Sequence, residues 1–203
     1  LAKYRERQLW LLPAGEAGDA YIPDVGAFVA SRMIRVIGGG LPKYEGKDVI
    51  IKPFLLGRFE VTNLEWSAVM GHALVGKPME PRDFVNMNDA RDFIARLNAI
   101  IGQQVFRLPT EDEWELATRA GVRSRYYFGD NTSELAEHAW FERNSGNRLH
   151  DVGKLKESPL GFFDLYGNVA EWCVTSESTG EAADDFGILK GGTAFNTDRF
   201  CDS

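Results

Sequence analysis

A chain of 203 residues is long enough for one sizeable core or two small ones, and its composition is that of an ordinary soluble globular protein. The 30 acidic and 23 basic residues give a formal charge of −7, and the scattered Lys and Arg argue against a nucleic-acid partner. No apolar run approaches the roughly 18 to 20 residues that span a bilayer, so no membrane span is expected in the visible chain.

The first 30 residues read as an arm: an amphipathic start, "LAKYRERQLWLL", then the Pro- and Gly-containing "PAGEAGDAYIPDVG". The chain opens on Leu1, as a processed product would, which leaves room for a removed export signal. An exported location, periplasmic or extracellular, is favoured over a cytoplasmic one. One domain is expected over residues 31–203.

Strands are expected in "RMIRVIGGG" and in "DVIIKPFLLGRFEVT", where Pro53 and Gly57 break the pattern, while the three glycines from Gly38 read as a turn. "TNLEWSAVMG" carries a capping box, Thr62 with Glu65, and Gly71 as a left-handed stop. From Asn88, the apolar residues Ala90, Phe93, Ile94, Leu97 and Ile101 recur at helical spacing before Gly102. In "RLPTEDEWELATRAG", Thr110 and Glu113 form a second box, with Arg119 in the last turn and Gly121 as the stop.

After Gly121 the periodicity ends and the chain fills with Gly, Asn, Asp and aromatic residues. Some 80 residues of this kind need another ordering device, because irregular backbone carries unpaired polar groups and high entropy. A bound metal is one such device.

"DLYGNVAEWC", Asp164 to Cys173, places two carboxylates around a Gly-Asn bend, beside a tryptophan and a cysteine. A mixed set of carboxylate and carbonyl oxygens suits Ca²⁺, which takes six to eight oxygen ligands. Such carboxylates also simply accept backbone hydrogen bonds at turns. Cys173 and Cys201 allow one disulfide or two thiols. His72, His138 and His150 show no zinc or iron spacing.

Four segments, "FLLGRFEVTNLEW", "FRLPTEDEWELATRAG", "SPLGFFDLYGNVAEW" and "LKGGTAFNTDRFC", occur in the order seen in the sulfatase-modifying-factor, or formylglycine-generating-enzyme, domain. The chain resembles that family over residues 32–201. The resemblance implies an α+β, C-type-lectin-like fold with little regular secondary structure, ordered partly by Ca²⁺, in a bacterial member. It implies side-chain calcium ligands at Asp164 and Glu171 and carbonyl ligands at Gly167 and Val169. A second family calcium loop falls on "RNSGNRLHDVG", with Asn144 and Ser145 as ligands, although its downstream portion is not recognisable. The family pattern also continues past its last cysteine with a basic segment and a final strand, which lie beyond Ser203.

Catalytic members oxidise a substrate cysteine with O₂ and copper held by two cysteines after the Gly-Gly pair. Counted from Gly191 and Gly192, the first of these positions is Asn196 here, and Cys201 alone matches the second. An amide does not replace a thiolate in a Cu(I) site, since soft sulfur ligands select that ion. Copper is therefore not expected, and no catalytic residue is assigned. The resemblance points instead to a non-catalytic binding or regulatory module that recognises a protein or small ligand on the face of Thr193, Phe195, Asn196 and Arg199. The alternative is an oxidase of the formylglycine-generating type with an altered copper site that uses Cys201 and Asn196.

Overall fold

The computed structural model describes residues 24–42, 48–175 and 187–202. Most of the sequence read as an arm lies outside the described residues. Its end forms α1 (Val25–Ser31), N-capped by Asp24, whose Oδ1 accepts from the Ala27 amide at 2.8 Å. This helix packs on the domain: a Cβ at Gly26 would come within 2.4 Å of Ile101 Cγ2, so a glycine permits the close approach.

Four strands follow, β1 (Met33–Val36), β2 (Gly39–Pro42), β3 (Asp48–Ile51) and β4 (Phe54–Gly57). They form one antiparallel ribbon in a continuous register, from Met33↔Gly57 through Val36↔Phe54 to Gly39↔Ile51 and Pro42↔Asp48. The break at Ile37–Gly38 faces Lys52–Pro53, where proline has no N–H to donate. Gly38 is left-handed at φ 77° and lies so near Ile51 that a Cβ would meet its carbonyl oxygen at 2.4 Å. The glycine run read as a turn is thus a kink followed by strand, with Gly39 and Gly40 inside β2.

The three predicted helices form as α2 (Asn63–Met70), α3 (Met87–Ile101) and α4 (Glu111–Arg119). Reciprocal capping boxes start all three: Thr62 with Glu65, Asn86 with Asp89, and Thr110 with Glu113. Gly71 and Gly102 stop the first two in left-handed conformation, but α4 ends one residue earlier than expected, at Ala120 with φ 49°. A buried Arg32 Nε–Glu65 Oε1 ion pair of 3.1 Å fastens the end of α1 to the α2 cap. Arg107 grips Glu113 through both carboxylate oxygens at 2.7 and 2.6 Å, fixing the approach to α4. One core cluster joins Val69 and Met70 of α2 to Phe93 and Leu97 of α3.

Beyond α4 the described structure is two short 3-10 turns, Thr132–Glu137 and Asp198–Phe200, and the pair β5 (Glu171–Val174) and β6 (Gly187–Lys190). Its side chains build two clusters: Phe162 and Leu165 pack with Val36 of β1 and Ala117 of α4, and Tyr126, Leu135, Phe141, Tyr166 and Cys201 form the other. Among the described residues no helix is long and apolar enough to cross a membrane.

What orders this half is a hub at Gly167–Asn168. Gly167 N donates to Gly191 O and Asn168 N to Trp140 O, while Asn168 O accepts from Ala194 N, each at 2.8 Å. The buried Asn168 side chain donates to His150 O at 3.1 Å and accepts from His150 N at 3.0 Å. Gly167 sits at φ 79° with room for no Cβ, which would fall 2.0 Å from Trp140 O. Gly167→Ala is therefore expected to cost about 3 kcal/mol, from strain plus overpacking. Gly102→Ala, left-handed at φ 69° but in open space, should cost about 1 kcal/mol. Denaturant unfolding of the two variants checks this ordering, and equal losses would contradict the hub.

Candidate cation site and binding face

Asp164 stands at φ 55° and only 3% exposed. Its Oδ2 accepts from Gly153 N at 2.6 Å, whereas Oδ1 is buried with no hydrogen-bond partner. Burial pushes its pKa up to about 6, with the Gly153 amide opposing. Glu171, the first residue of β5, is raised to about 7 by burial and by the Asp164 charge. The Trp114 indole N–H lies toward Glu171 and opposes that rise, though it closes no hydrogen bond of ordinary geometry.

The sequence reading did not single out Glu60, which is 5% exposed on the segment joining β4 to α2. Its Oε2 accepts from Asn168 Nδ2 at 2.8 Å and its Oε1 from Val169 N at 2.9 Å. Burial and then the charges of Asp164 and Glu171 raise its pKa well above the ordinary carboxylate value. The available signal was a glutamate embedded in the apolar "RFEVT" of a strand-like segment, where an acid is rarely left without a partner.

The two carboxylates of the Asp164–Glu171 bend and Glu60 thus lie in one another's field, and among the described residues no Lys or Arg forms an ion pair with any of the three. Within the hydrogen bonds of the described residues, none is donated to the carbonyl of Gly167 or Val169. Among the described residues no three His, Cys, Asp or Glu side chains converge closely enough to hold a metal by themselves. The donor set that fits a cation here is mixed: the orphaned Asp164 oxygen, Glu171 and carbonyls of the turn, which is oxygen-only chemistry suited to Ca²⁺.

Asn144 and Ser145 are placed elsewhere in the loop, with their side chains spent on backbone. Asn144 Nδ2 donates to Ala139 O at 2.8 Å and its Oδ1 accepts from Phe141 N at 2.9 Å. Ser145 Oγ donates to Ala194 O at 2.7 Å.

The two cysteines are both buried and unjoined. Cys201 lies in the aromatic cluster with Tyr126, Phe141 and Tyr166, and burial pushes its thiol up to about 11. Cys173 lies in β5 and burial raises its thiol as well, so neither favours the thiolate that binds soft metals. Asn196 Oδ1 accepts from Thr193 Oγ1 at 2.9 Å, and Asn196 O accepts from Glu142 N at 3.0 Å.

A groove of about 1290 Å³ runs between α1, β4 and the start of β5. Thr193 and Phe195 reach its edge, near Trp172 and Leu189, whereas Asn196 and exposed Arg199 do not line it. Phe195 is 52% exposed, and across the lining Phe84 is 97% exposed at a left-handed φ of 53°. The Phe84 loop is tied to β5 by Trp172 Nε1, which donates to Val85 O at 2.8 Å.

Short strands, capped helices and an irregular half organised on an acidic Gly-Asn bend define an α+β domain of the formylglycine-generating-enzyme type. The chain belongs to the sulfatase-modifying factor enzyme 1-like domain family, whose model matches residues 26–203. It is 27% identical to the chaperone protein LppX of Paenibacillus barcinonensis, across 93% of this chain and 88% of that one. It is 32% identical to the inactive C-alpha-formylglycine-generating enzyme 2 of Bos taurus over 56% of this chain. The match to the formylglycine-generating enzyme of Thermomonospora curvata is 28% identical over 51% of this chain. The matched stretches span only 38% and 36% of those two relatives. Among solved structures, Treponema denticola variable protein 1 superposes with a TM-score of 0.70, at 22% identity over 84% of this chain and 86% of that one. PvdO from Pseudomonas aeruginosa gives 0.68, also at 22% identity, over 84% and 85%. These two likenesses show the shared fold.

The carboxylates carry a pH signature. Asp164 and Glu171 bind protons more tightly folded than unfolded, so in chelated protein their contribution is full below about pH 4 and is lost as pH rises through about 6 and 7. Asp164→Asn should therefore gain stability relative to the chelated wild type progressively from about pH 4 to about pH 6 and keep that gain above it. Melting curves across that range check it, and a constant difference would contradict the burial assigned to Asp164.

Proposed function

We propose that this chain is a non-catalytic binding module: a calcium-ordered scaffold that holds a partner polypeptide on the groove edged by Thr193 and Phe195. The observation that carries this reading is the pair Asn196 and Cys201. At the position of the first copper-ligand cysteine stands an amide hydrogen-bonded to Thr193, and the remaining thiol is buried among aromatic rings, where burial pushes its pKa up to about 11. A site of this kind lacks the two thiolates that oxidation of a substrate cysteine requires.

The partner's class follows from the exposed surface. Large apolar side chains flanking one groove are the usual mark of protein recognition, and Phe84 and Phe195 supply them here. The similarity to a chaperone over nearly the whole chain supports a polypeptide partner, and the similarity to an inactive formylglycine-generating enzyme supports the loss of catalysis. Calcium in this reading is structural, held by Asp164 and Glu171 with the carbonyls of Gly167 and Val169. It would neutralise the carboxylates and fix the bend beneath the groove. In a second calcium loop, Asn144 and Ser145 would offer the oxygen lone pairs that the backbone hydrogen bonds described above do not use.

Reduced, partly unfolded α-lactalbumin provides a defined client. The protein should slow its aggregation at near-stoichiometric ratio, and Phe84→Ser with Phe195→Ser should remove at least half of that protection. Oxygen consumption with Cu(I) and a cysteine-containing peptide should stay at background. Stoichiometric copper uptake with turnover would overturn the reading in favour of an oxidase with a rearranged site. Chelation should also lower the melting temperature, because an ion bound only by the folded state stabilises it.

A further inference from the structure

We propose that Glu60 is the positioning residue of the cation site: from the opposite half of the fold its carboxylate fixes the Gly167–Val169 turn so that the turn's carbonyls stay with Asp164 and Glu171. This rests on the calcium reading above and adds a residue outside the Asp164–Glu171 bend.

The geometry is specific. Glu60 is 108 and 109 residues from its two partners, Asn168 Nδ2 and Val169 N, and gives one oxygen to each. Glu60 holds the Val169 amide, and among the described residues no hydrogen bond is donated to the Val169 carbonyl. Asn168 is in turn locked to Trp140, His150 and Ala194, so Glu60 fixes the one side of the turn that the hub leaves loose.

A purely structural acceptor has no need of a charge. A buried carboxylate costs several kcal/mol of desolvation unless a counter-charge is near, and among the described residues no cation pairs with Glu60. Within the same group, Asp164 is 3% exposed with Oδ1 unpartnered, a second and independent indication that a positively charged ligand belongs there. With each of its oxygens held by a hydrogen bond to the turn, Glu60 acts through the turn and through its charge.

Terbium, a luminescent calcium substitute sensitised by nearby indoles such as Trp114, gives a readout that global stability does not move. Calcium affinity is measured by competition against terbium on folded protein. Glu60→Gln, which loses the charge and one acceptor, should weaken calcium binding at least tenfold. Glu60→Asp, which keeps the charge but withdraws it by one methylene, should lose at least threefold and less than Glu60→Gln. Should Glu60→Gln fail to fold, Glu60→Asp decides alone. Wild-type affinity in the folded variants, even with a lowered melting temperature, would reduce Glu60 to a structural acceptor and leave the calcium reading standing. Absence of terbium and calcium binding in the wild type would overturn both.

Discussion

The Gly167–Asn168 turn is the point on which the second half of the molecule depends. Within two residues it takes hydrogen bonds to segments around positions 60, 140, 150, 191 and 194, none adjacent to it in sequence. Regular elements satisfy their backbone internally, and irregular chain must find partners one at a time. A left-handed Gly-Asn pair supplies them compactly: glycine permits contact with Trp140, and the asparagine amide serves as a portable peptide group. This explains how a stretch with so few helices and strands packs Tyr126, Phe162 and Tyr166 with no exposed surface.

The same hub connects the halves. The β1–β4 ribbon delivers Glu60 to the turn, and immediately afterwards the α2 capping box begins, with Glu65 also held by Arg32 from α1. Four elements therefore converge on two buried glutamates within six residues of chain. The groove's lining includes residues of α1 and β4, Glu60 and Glu65 of this junction, and Val169 to Trp172. Any change at the carboxylate cluster is consequently felt at the groove wall through covalent neighbours. No long relay is required.

What the sequence made legible was whatever is encoded locally. Capping boxes, left-handed glycine stops and 3.6-residue periodicity all act within a few residues, and α2, α3 and the start of α4 form where those signals stand. The end of α4 at Ala120 escaped because no local code favours alanine with positive φ over the glycine beside it. Gly38–Gly40 misled for a related reason: glycine signals a turn, yet here it allows the ribbon to kink against Ile51 and continue. For Glu60 the sequence signalled only a buried acid in "RFEVT"; its partners lie more than a hundred residues away and were not legible. The positions implied by family resemblance fared according to their surroundings. Asp164 and Glu171 share a buried acidic environment, whereas Asn144 and Ser145 are consumed by the backbone of their own loop and of the Ala194 strand of chain.

The segment after Gly191–Gly192 shows how this fold can hold its shape independently of several of its side chains. Its path is fixed by main-chain groups: Ala194 N to Asn168, Ala194 O from Ser145, and Asn196 O from Glu142. None of these bonds depends on the side chains at Thr193, Phe195 or Asn196. Cys201 contributes as an apolar body in the aromatic cluster, a role that needs no thiolate. In the proposed reading, asparagine in place of cysteine at position 196 leaves these main-chain bonds in place while removing one of two soft-metal ligands. The surface so released is presented at the edge of an apolar groove on a backbone held from beneath. Thr193 and Asn196 tie the turn locally, Oγ1 to Oδ1, and leave Phe195 as the exposed side chain between them.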